Sequence, residues 1–484
     1  MSRLRLVPLA AVLSLAACEV GPNYQRPATP TPGAYKEIAG WTAANPSDAA
    51  DRRDWWTVFG DPVLNDLERK VEISNQNLAA AEAAYRQARA LVAEQRAQLF
   101  PTLTGSASPS VSHAGRLGVV TGGGNVINPT TRVTPTVTDY TVELGATWEL
   151  DVWGRIRRSI ENAAASAQAS AADLANARLS AQMELAADYI LLRQLDEEKR
   201  IDDETVAAYE RSLQITRNKY AAGTVAKSDV DQAETQLFNQ RAAATALANQ
   251  RAQTENAIAV LIGQPPSELS IAPAAWTLQP VDIPPGVPST LLQRRPDVAA
   301  AERQAAAASA NIGVAVAGYF PNLTLTGAGG TEATKISQLF SGPSFFWNAA
   351  ASAAQTIFNS GLTHAQVQAA RAGYDQAVAN YRQATLTAFQ QVENNLAAQR
   401  FLAAEQPDLQ AALRSANEAL QITQNQYAAG TVDYTTVVVA QATALAARNA
   451  ELSLEASRLT TTVDLITALG GGWTTADPLL TARQ

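Results

Sequence analysis

Cysteine occurs once in this 484-residue chain, at Cys18. One thiol cannot close an internal disulfide, and it cannot build a cysteine-based zinc site. The other reactive side chains form no catalytic set. The two histidines, His113 and His364, fall in a predicted loop and near a predicted helix start, far apart in the plan of the chain. No Ser/His/Asp or metal-ligand cluster offers itself. The glycine runs Gly122–Gly124 and Gly470–Gly472 lack the strand–glycine–helix context of a phosphate loop. Glu149 and Asp151 lie two apart on a predicted strand and could point into one cavity, where they read as a charged wall, not as an acid/base pair. The chain is therefore expected not to be an enzyme and to hold no metal and no cofactor beyond a covalent lipid.

The position of Cys18 suggests that lipid. Arg3 and Arg5 precede an apolar run from Leu6 to Leu15. This is the charged and hydrophobic grammar of a signal peptide, about half the ~20 residues a spanning helix needs. Leu15-Ala16-Ala17-Cys18 resembles a bacterial lipobox, which implies cleavage after residue 17 and acylation of Cys18, palmitate included. A second acyl chain makes such anchoring stable. Glu19 follows, not Asp, which in lipoproteins goes with export to the outer membrane.

Charge and hydropathy narrow the class further. The formal net charge is −8, and loss of Arg3 and Arg5 with the signal leaves −10, which argues against a nucleic-acid surface. No later segment has ~18 apolar residues in a row, so any membrane crossing must be a β-barrel.

The strongest internal signal is a duplication. LQITRNKYAAGTV at Leu213–Val225 recurs as LQITQNQYAAGTV at Leu420–Val432, a shift of 430 − 223 = 207. The same shift carries Gly154 to Gly361, Leu150 to Ile357 and Arg193 to Arg400. Upstream, Phe100-Pro101 matches Phe320-Pro321 at a shift of 220, so the first half has the longer loop, around His113–Thr134. The predicted divisions are a signal peptide over 1–17, an anchor and equatorial segment over 18–60, and a first repeat over 61–263. An inter-repeat equatorial segment covers 264–290, a second repeat 291–469 and a tail 470–484.

Each repeat reads as helix, β-hairpin, long helix, tight turn and helix. The hairpins are predicted over 102–151 and 322–358, the tip turns over 220–227 and 427–434. The long helices run from about Arg155 to Tyr220 and from about Leu362 to Tyr427, the second kinked at Pro407. At 1.5 Å per residue each is roughly 100 Å long, which calls for a coiled-coil or tubular assembly. Shorter helices over Asn77–Leu99 and Ser228–Ile262 flank them. Alanine replaces leucine along these helices. Such small side chains bury little area each, which suggests a wall of helices with neighbours on two sides. Gly223 and Gly430 suit the left-handed position that ends a helix, and Ser228 and Asp231 read as a cap for the returning helix.

The segments between helices alternate with period two. Thr102, Thr104, Ser106, Ser108, Ser110 and Ser112 share one face of the first strand. Tyr140, Val142, Leu144, Ala146, Trp148 and Leu150 share the apolar face of the second. Phe345, Trp347, Ala349, Ala351 and Ala353 share that of the fourth, while the third alternates more weakly around Leu323 and Leu325. Aromatic residues gather at strand ends, as in interfacial girdles. Four strands cannot close a barrel, since small barrels need about eight, so an oligomer is required. With the apolar face toward lipid, Glu143, Glu149 and Asp151 face a lumen, where acidic rings favour cations.

CEVGPNYQRP at Cys18, WWTVFGDPVLNDL at Trp55, WELDVWGR at Trp148, LLQRRPDVAAAE at Leu291, GYFPNLTLTGAGG at Gly318, both YAAGTV turns and TALGGGW ending at Trp473 together resemble the TolC-like outer-membrane efflux lipoproteins. The resemblance implies an α+β membrane protein: a homotrimer with a long α-helical periplasmic tunnel and a twelve-stranded transmembrane β-barrel, four strands per chain. It implies a passive outer-membrane exit duct for drugs or other small solutes, docked to a periplasmic adaptor and an inner-membrane RND-type transporter. Gly223, Thr224, Gly430 and Thr431 then fall in the adaptor-docking tips, and Asp433 and Tyr434 at the periplasmic aperture. The first tip has Ala226 and Lys227 at the positions of Asp433 and Tyr434, so the two turns are not equivalent. A type I protein-secretion channel shares this plan, and a structural coiled-coil lipoprotein explains the helices but not the strands. Metal export through a methionine relay finds no support, since Met183 stands alone once Met1 is lost.

Overall fold

The computed structural model describes residues 19–37, 54–113, 136–280 and 295–471. The expected signal peptide with Cys18, residues 38–53 of the first equatorial segment, most of the expected long loop, residues 281–290 of the inter-repeat segment and most of the tail lie outside them. Helices α1 (Pro62–Ser74) and α2 (Gln76–Ala97) lead to strands β1 (Thr102–Ser112) and β2 (Val137–Leu150). The long α3 (Arg155–Ala221) and the returning α4 (Lys227–Leu261) complete the first repeat. The second repeat runs α5 (Pro296–Ala317), β3 (Asn322–Ala333), β4 (Phe345–Ala354), α6 (Leu362–Ala429) and α7 (Tyr434–Ala468). Among the described residues no helix is long and apolar enough to cross a membrane.

Local chemistry sets these boundaries. Asp61 caps α1, accepting from the amides of Val63 (2.8 Å) and Leu64 (3.1 Å), with Pro62 at the first helical position. Asn75 then separates α1 from α2. Its side-chain oxygen accepts from the amides of Asn77 (2.9 Å) and Leu78 (3.1 Å), and its amide nitrogen donates to the carbonyl of Leu261 (2.7 Å). One expectation needs correction. Helix α4 starts directly after Ala226 with no side-chain cap, so Ser228 and Asp231 are not its caps. Helix α6 includes Pro407 within its span.

The strands form one antiparallel sheet in the order β1-β2-β3-β4. The central β2–β3 pair joins the two repeats, with Leu144 opposite Gly329 and Trp148 opposite Leu325. Leu144 also faces Gly105 of β1, and Gly329 faces Trp347 of β4. One face therefore carries Leu103, Val142, Leu144, Trp148, Leu325, Phe345 and Trp347. The other carries Thr104, Ser106, Glu143, Thr147, Thr324, Thr326 and Ser352. The apolar side is bare: Leu103 is 77 % exposed, Leu144 71 % and Trp347 74 %.

The chain divides into two compact units that cut across the repeats. The first holds the sheet, with described residues inside Met1–Arg26, Gln87–Ala167 and Gln304–Ala377. The second holds Pro27–Arg86, Gln168–Arg303 and Val378–Gln484. Within the second unit Trp55, Trp56, Leu64, Leu67 and Val71 pack with Leu185, Tyr189, Ile258 and Leu459 in its largest apolar cluster. The inter-repeat segment is pinned to α3. Buried Asp196 accepts from Arg193 (2.8 Å), Arg251 (2.6 Å) and the amide of Ala274 (3.2 Å). The duplication repeats this device with different partners: Arg400, the equivalent of Arg193, pairs at 2.8 Å with Glu37 of the N-terminal segment.

Glu68 of α1 is wholly buried, and among the described residues neither carboxyl oxygen has a hydrogen-bond partner. Burial, reinforced by nearby Glu72, pushes its carboxyl up to about 9. A carboxyl raised on folding favours the native state fully below its unfolded value. That contribution is lost as pH rises from about 4.5 toward 9. Glu68→Leu should therefore stabilise the protein little at pH 4 and by on the order of 2–4 kcal/mol at pH 8. Thermal unfolding in detergent at the two pH values checks this; an equal gain at both contradicts it.

Candidate functional site

The two tip turns are built alike, from the second unit alone. Gly223 and Gly430 have φ of +73° and +78°, a region that L side chains avoid and glycine enters freely. The reversal lets Thr224 donate its amide to the carbonyl of Lys219 (3.0 Å) and Gly223 donate to that of Tyr220 (2.9 Å). Thr431 donates likewise to Gln426 (3.0 Å) and Gly430 to Tyr427 (3.1 Å). This is the Schellman pattern, which satisfies the last carbonyls of a helix. Each threonine hydroxyl adds a second bond to the same carbonyl, Thr224 to Lys219 at 2.9 Å and Thr431 to Gln426 at 3.0 Å. Both threonines are thus structural parts of their turns and remain exposed at the tip.

Beyond the turns the copies diverge. Asp433 is exposed and caps α7, accepting from the amide (3.0 Å) and hydroxyl (2.8 Å) of Thr436. These hydrogen bonds hold its carboxyl below its ordinary value of 3.8. Ala226, in the same position of the first turn, has no capping group, and the neighbouring Lys227 pairs with Asp231 at 3.5 Å. Tyr434 sits beside Asp433 in sequence but not in environment. It is completely buried, its ring centroid 5.4 Å from that of Tyr427. Its hydroxyl has no hydrogen-bond partner among the described residues, and burial pushes its phenol up to about 12. In this conformation only Asp433 of the two presents its side chain to solvent.

Tyr434 belongs to a cluster with Tyr209, Leu213, Val230, Leu237, Tyr427 and Val437 that ties the ends of α3, α4, α6 and α7 together. Tyr427 and Thr216 share a buried hydroxyl–hydroxyl bond of 3.0 Å. The Lys219 ammonium lies 4.0 Å from the Tyr427 ring centroid and also donates to the Tyr427 backbone carbonyl. A cation at the carboxyl end of α6 complements the helix dipole and gives a second donor to a carbonyl that already accepts from Gly430. This link between the two tips involves residues that sequence reasoning missed. The available signal was a lysine at Lys219 where the second copy has Gln426.

The three acidic residues near β2 do not act as one group. Glu143 lies on the polar face of the sheet, opposite Ser106 and Gly330. Glu149 shares that face but is held by Arg155, with bonds of 2.7 Å from one guanidinium nitrogen to both carboxyl oxygens and 3.1 Å from another. Asp151 lies past the end of β2. It accepts from the amides of Ile156 and Arg157, each at 2.9 Å, and from the Arg157 side chain at 3.2 Å. Of the three acidic residues expected to face a lumen, Glu149 and Asp151 are thus paired with arginines. The open amides at the start of α3 need acceptors, and Arg155 and Arg157 need partners at an end where the helix dipole repels cations. No cluster of potential metal ligands occurs among the described residues.

A model of the outer membrane efflux protein family matches residues 68–264 and 287–471. The chain belongs to the outer membrane efflux protein family. It is an outer-membrane protein, and its long helices and strand sheet are those of the family's channels. It is 32 % identical over 474 residues to the pyoverdine export outer membrane protein OpmQ of Pseudomonas aeruginosa, covering 98 % of each chain. It is 29 % identical to the cation efflux system protein CusC of Escherichia coli, covering 98 % of this chain and 100 % of that one. Among solved structures it is similar to the outer-membrane channel OprN, with a TM-score of 0.85 and 30 % identity over 94 % of this chain and 100 % of the other. The open state of the Neisseria gonorrhoeae MtrE channel gives a TM-score of 0.81 and 29 % identity over 94 % and 98 %.

The tip geometry of this efflux protein yields two expected outcomes. Lys219→Met removes the ammonium from Tyr427 and its carbonyl. It should speed amide exchange in the last turn of α6 by about tenfold, equivalent to about 1.4 kcal/mol, while exchange in the first turn of α7 stays unchanged. The Asp433 cap has the opposite pH sign to Glu68. A depressed carboxyl contributes above its unfolded value and loses that contribution as pH falls through its lowered native value. The amide of Thr436 should therefore lose protection only below about pH 4, and in Asp433→Asn it should show no such step.

Proposed function

We propose that this protein is the exit duct of a tripartite efflux pump, conducting drugs or other small solutes passively across the outer membrane. The observation that carries this reading is the sheet. Its apolar face is bare, its opposite face is polar, and β1 and β4 each keep an unpaired edge. In a bilayer an unpaired strand edge has no hydrogen-bonding solvent, so spanning sheets close. Three copies, edge to edge, would give a twelve-stranded barrel with the polar face lining the passage, in keeping with barrel sizes of eight strands and above. Glu143 would then contribute one unpaired carboxylate per copy to the lumen.

The paired tips support docking of a periplasmic adaptor, which would link the duct to an inner-membrane RND-type transporter. The turn residues Gly223, Thr224, Gly430 and Thr431 form rigid, exposed ends suited to contact. Asp433 is an exposed carboxylate just past the second turn, and a ring of three would favour cations over anions at an aperture. Cys18 is the proposed lipid anchor, and Glu19 begins the described chain directly after it.

Electrophoresis of detergent-extracted outer membranes, with and without boiling, tests the oligomer. A heat-sensitive band at the mass of three chains supports the barrel, and a monomer before boiling contradicts it. Cys18→Ser should abolish palmitate labelling; unchanged labelling removes the anchor. Asp433→Ala should raise the single-channel current in planar bilayers, and an unchanged current removes Asp433 from the aperture.

A further inference from the structure

Glycine weakens a strand interior, so each one there needs a cause. Gly330 of β3 has one: a Cβ would lie 2.2 Å from the carbonyl oxygen of Val142. Gly329 and Gly105 have none within the fold. A Cβ on Gly329 would meet nothing nearer than the Phe346 carbonyl at 3.7 Å, and one on Gly105 nothing nearer than Leu144 Cδ2 at 3.5 Å. Both are ordinary contacts, neither glycine has a positive φ, and the ladder runs through both without a bulge. What is left is the third use of a strand glycine, close approach by something else.

These two glycines flank Leu144 in one row of the apolar face. They floor a groove of about 410 Å³ whose walls include Val142, Leu144, Phe345 and Phe340. Phe340 belongs to the β3–β4 connection, residues 334–344, at the end of the sheet away from the helices. The connection therefore bends outward over the apolar side. Thr331 lines the same groove, and its buried hydroxyl has no hydrogen-bond partner among the described residues.

The connection is built for apolar surroundings. The Gln338 carbonyl accepts from the Ser341 amide (3.0 Å) and from the hydroxyls of Ser341 (2.7 Å) and Ser344 (2.8 Å). The amides of Gln338 and Ser344 donate to the carbonyls of Lys335 and Ser341, each at 3.0 Å. Polar groups paired in this way need no water. The outward side chains are apolar, with Ile336 68 % exposed and Phe340 82 %. The one ionisable residue between Ala333 and Trp347 is Lys335, which is exposed and forms no ion pair among the described residues.

We propose that this groove seats one acyl chain of a phosphate-bearing lipid of the outer leaflet, with Phe340 closing over the chain and Lys335 pairing with the phosphate. This rests on the reading that the apolar face meets lipid. The groove is continuous with that face. It lies over β2, which has a strand on each side, so edge pairing with further copies leaves it open. A lysine at the rim of an apolar surface keeps its stem in hydrocarbon and its ammonium at the headgroups, where anionic lipid attracts it. An ester or hydroxyl oxygen of the lipid gives Thr331 its partner. A lipid seated there also holds the connection outward, clear of the mouth of the duct.

The test titrates the full-length oligomer in dodecyl maltoside with bis-phosphorylated, hexa-acylated lipid A, or with its dephosphorylated form, and reads bound lipid by native mass spectrometry. Gly105→Val and Gly329→Val each fill the floor with a side chain that strands accept. Each should weaken both lipids about tenfold, the loss of about two buried methylene groups. Lys335→Gln should weaken the phosphorylated form about fivefold and leave the other unchanged. A retained heat-sensitive oligomer shows that a variant has folded, and either glycine variant serves if the other fails. Equal binding by the native chain and the glycine variants overturns the seat. So does a loss confined to Lys335→Gln, which is headgroup attraction only. Spin labels on Phe340→Cys and Leu103→Cys, each in a Cys18→Ser chain in outer-membrane vesicles, separate the two readings. Relaxation of both by oxygen more than by an aqueous nickel chelate supports the proposal. Nickel dominant at 340 alone, or shielding there from both reagents by another copy or another segment of this chain, overturns the seat and leaves the lipid-facing sheet. Nickel dominant at both positions overturns the lipid-facing reading and the seat together.

Discussion

A bilayer offers no hydrogen bonds to an exposed backbone, and that constraint organises this molecule. The sheet satisfies it internally along three pairings and leaves it unmet at β1 and β4. The chain cannot span a membrane alone. Its apolar face has no partner among the described residues, and its polar face is studded with threonine and serine hydroxyls. The unmet edges point to further copies, and the two faces state which side meets lipid. The helices follow from the same demand. Alanine-rich faces bury too little area singly to stand as isolated rods, so they also call for neighbours.

Duplication supplies the framework, and the differences between the copies supply the specialisation. Both long helices stop by the same glycine reversal with the same threonine back-bond. Past the turn, one copy has a capped start at Asp433 and a buried tyrosine, the other an uncapped start at Ala226 and a solvated Lys227. The copies are stapled by cross-contacts that neither could make with itself. Lys219 rests on Tyr427 at the tips. In the first unit Arg158 and Gly313 close on the N-terminal segment.

Much of this plan was legible in the residues. Period two revealed the four strands and their faces, because a strand must show alternate side chains to lipid and to water. The bounds of α3 and α6 were legible because Gly154, Gly223, Gly361 and Gly430 punctuate otherwise unbroken helical runs. What stayed hidden were pairings distant in sequence. Nothing local says that Arg158 will meet Glu19 and Asn23, or that Asp196 will hold two arginines and a loop amide. The fate of Glu149 and Asp151 could have been read from the arginines at 155 and 157, since two cations at a helix start need nearby carboxylates. The burial of Tyr434 was not readable, because its neighbour Asp433 is fully exposed and only the four-helix packing separates them.

The central claim is that β1 of one copy pairs with β4 of the next, and cysteine cross-linking across that edge tests it most directly. Single cysteines at Leu103, Ala107 or Val111 on β1 would be combined with single cysteines at Ala349, Ala351 or Ala353 on β4, in a Cys18→Ser chain assembled in outer membranes. Disulfide geometry is narrow enough that only closely apposed pairs will close. At least one pair should oxidise to covalently linked trimers that reduction returns to monomers. Failure of all pairs, or links only between identical β1 positions, would contradict closure of the barrel from this sheet.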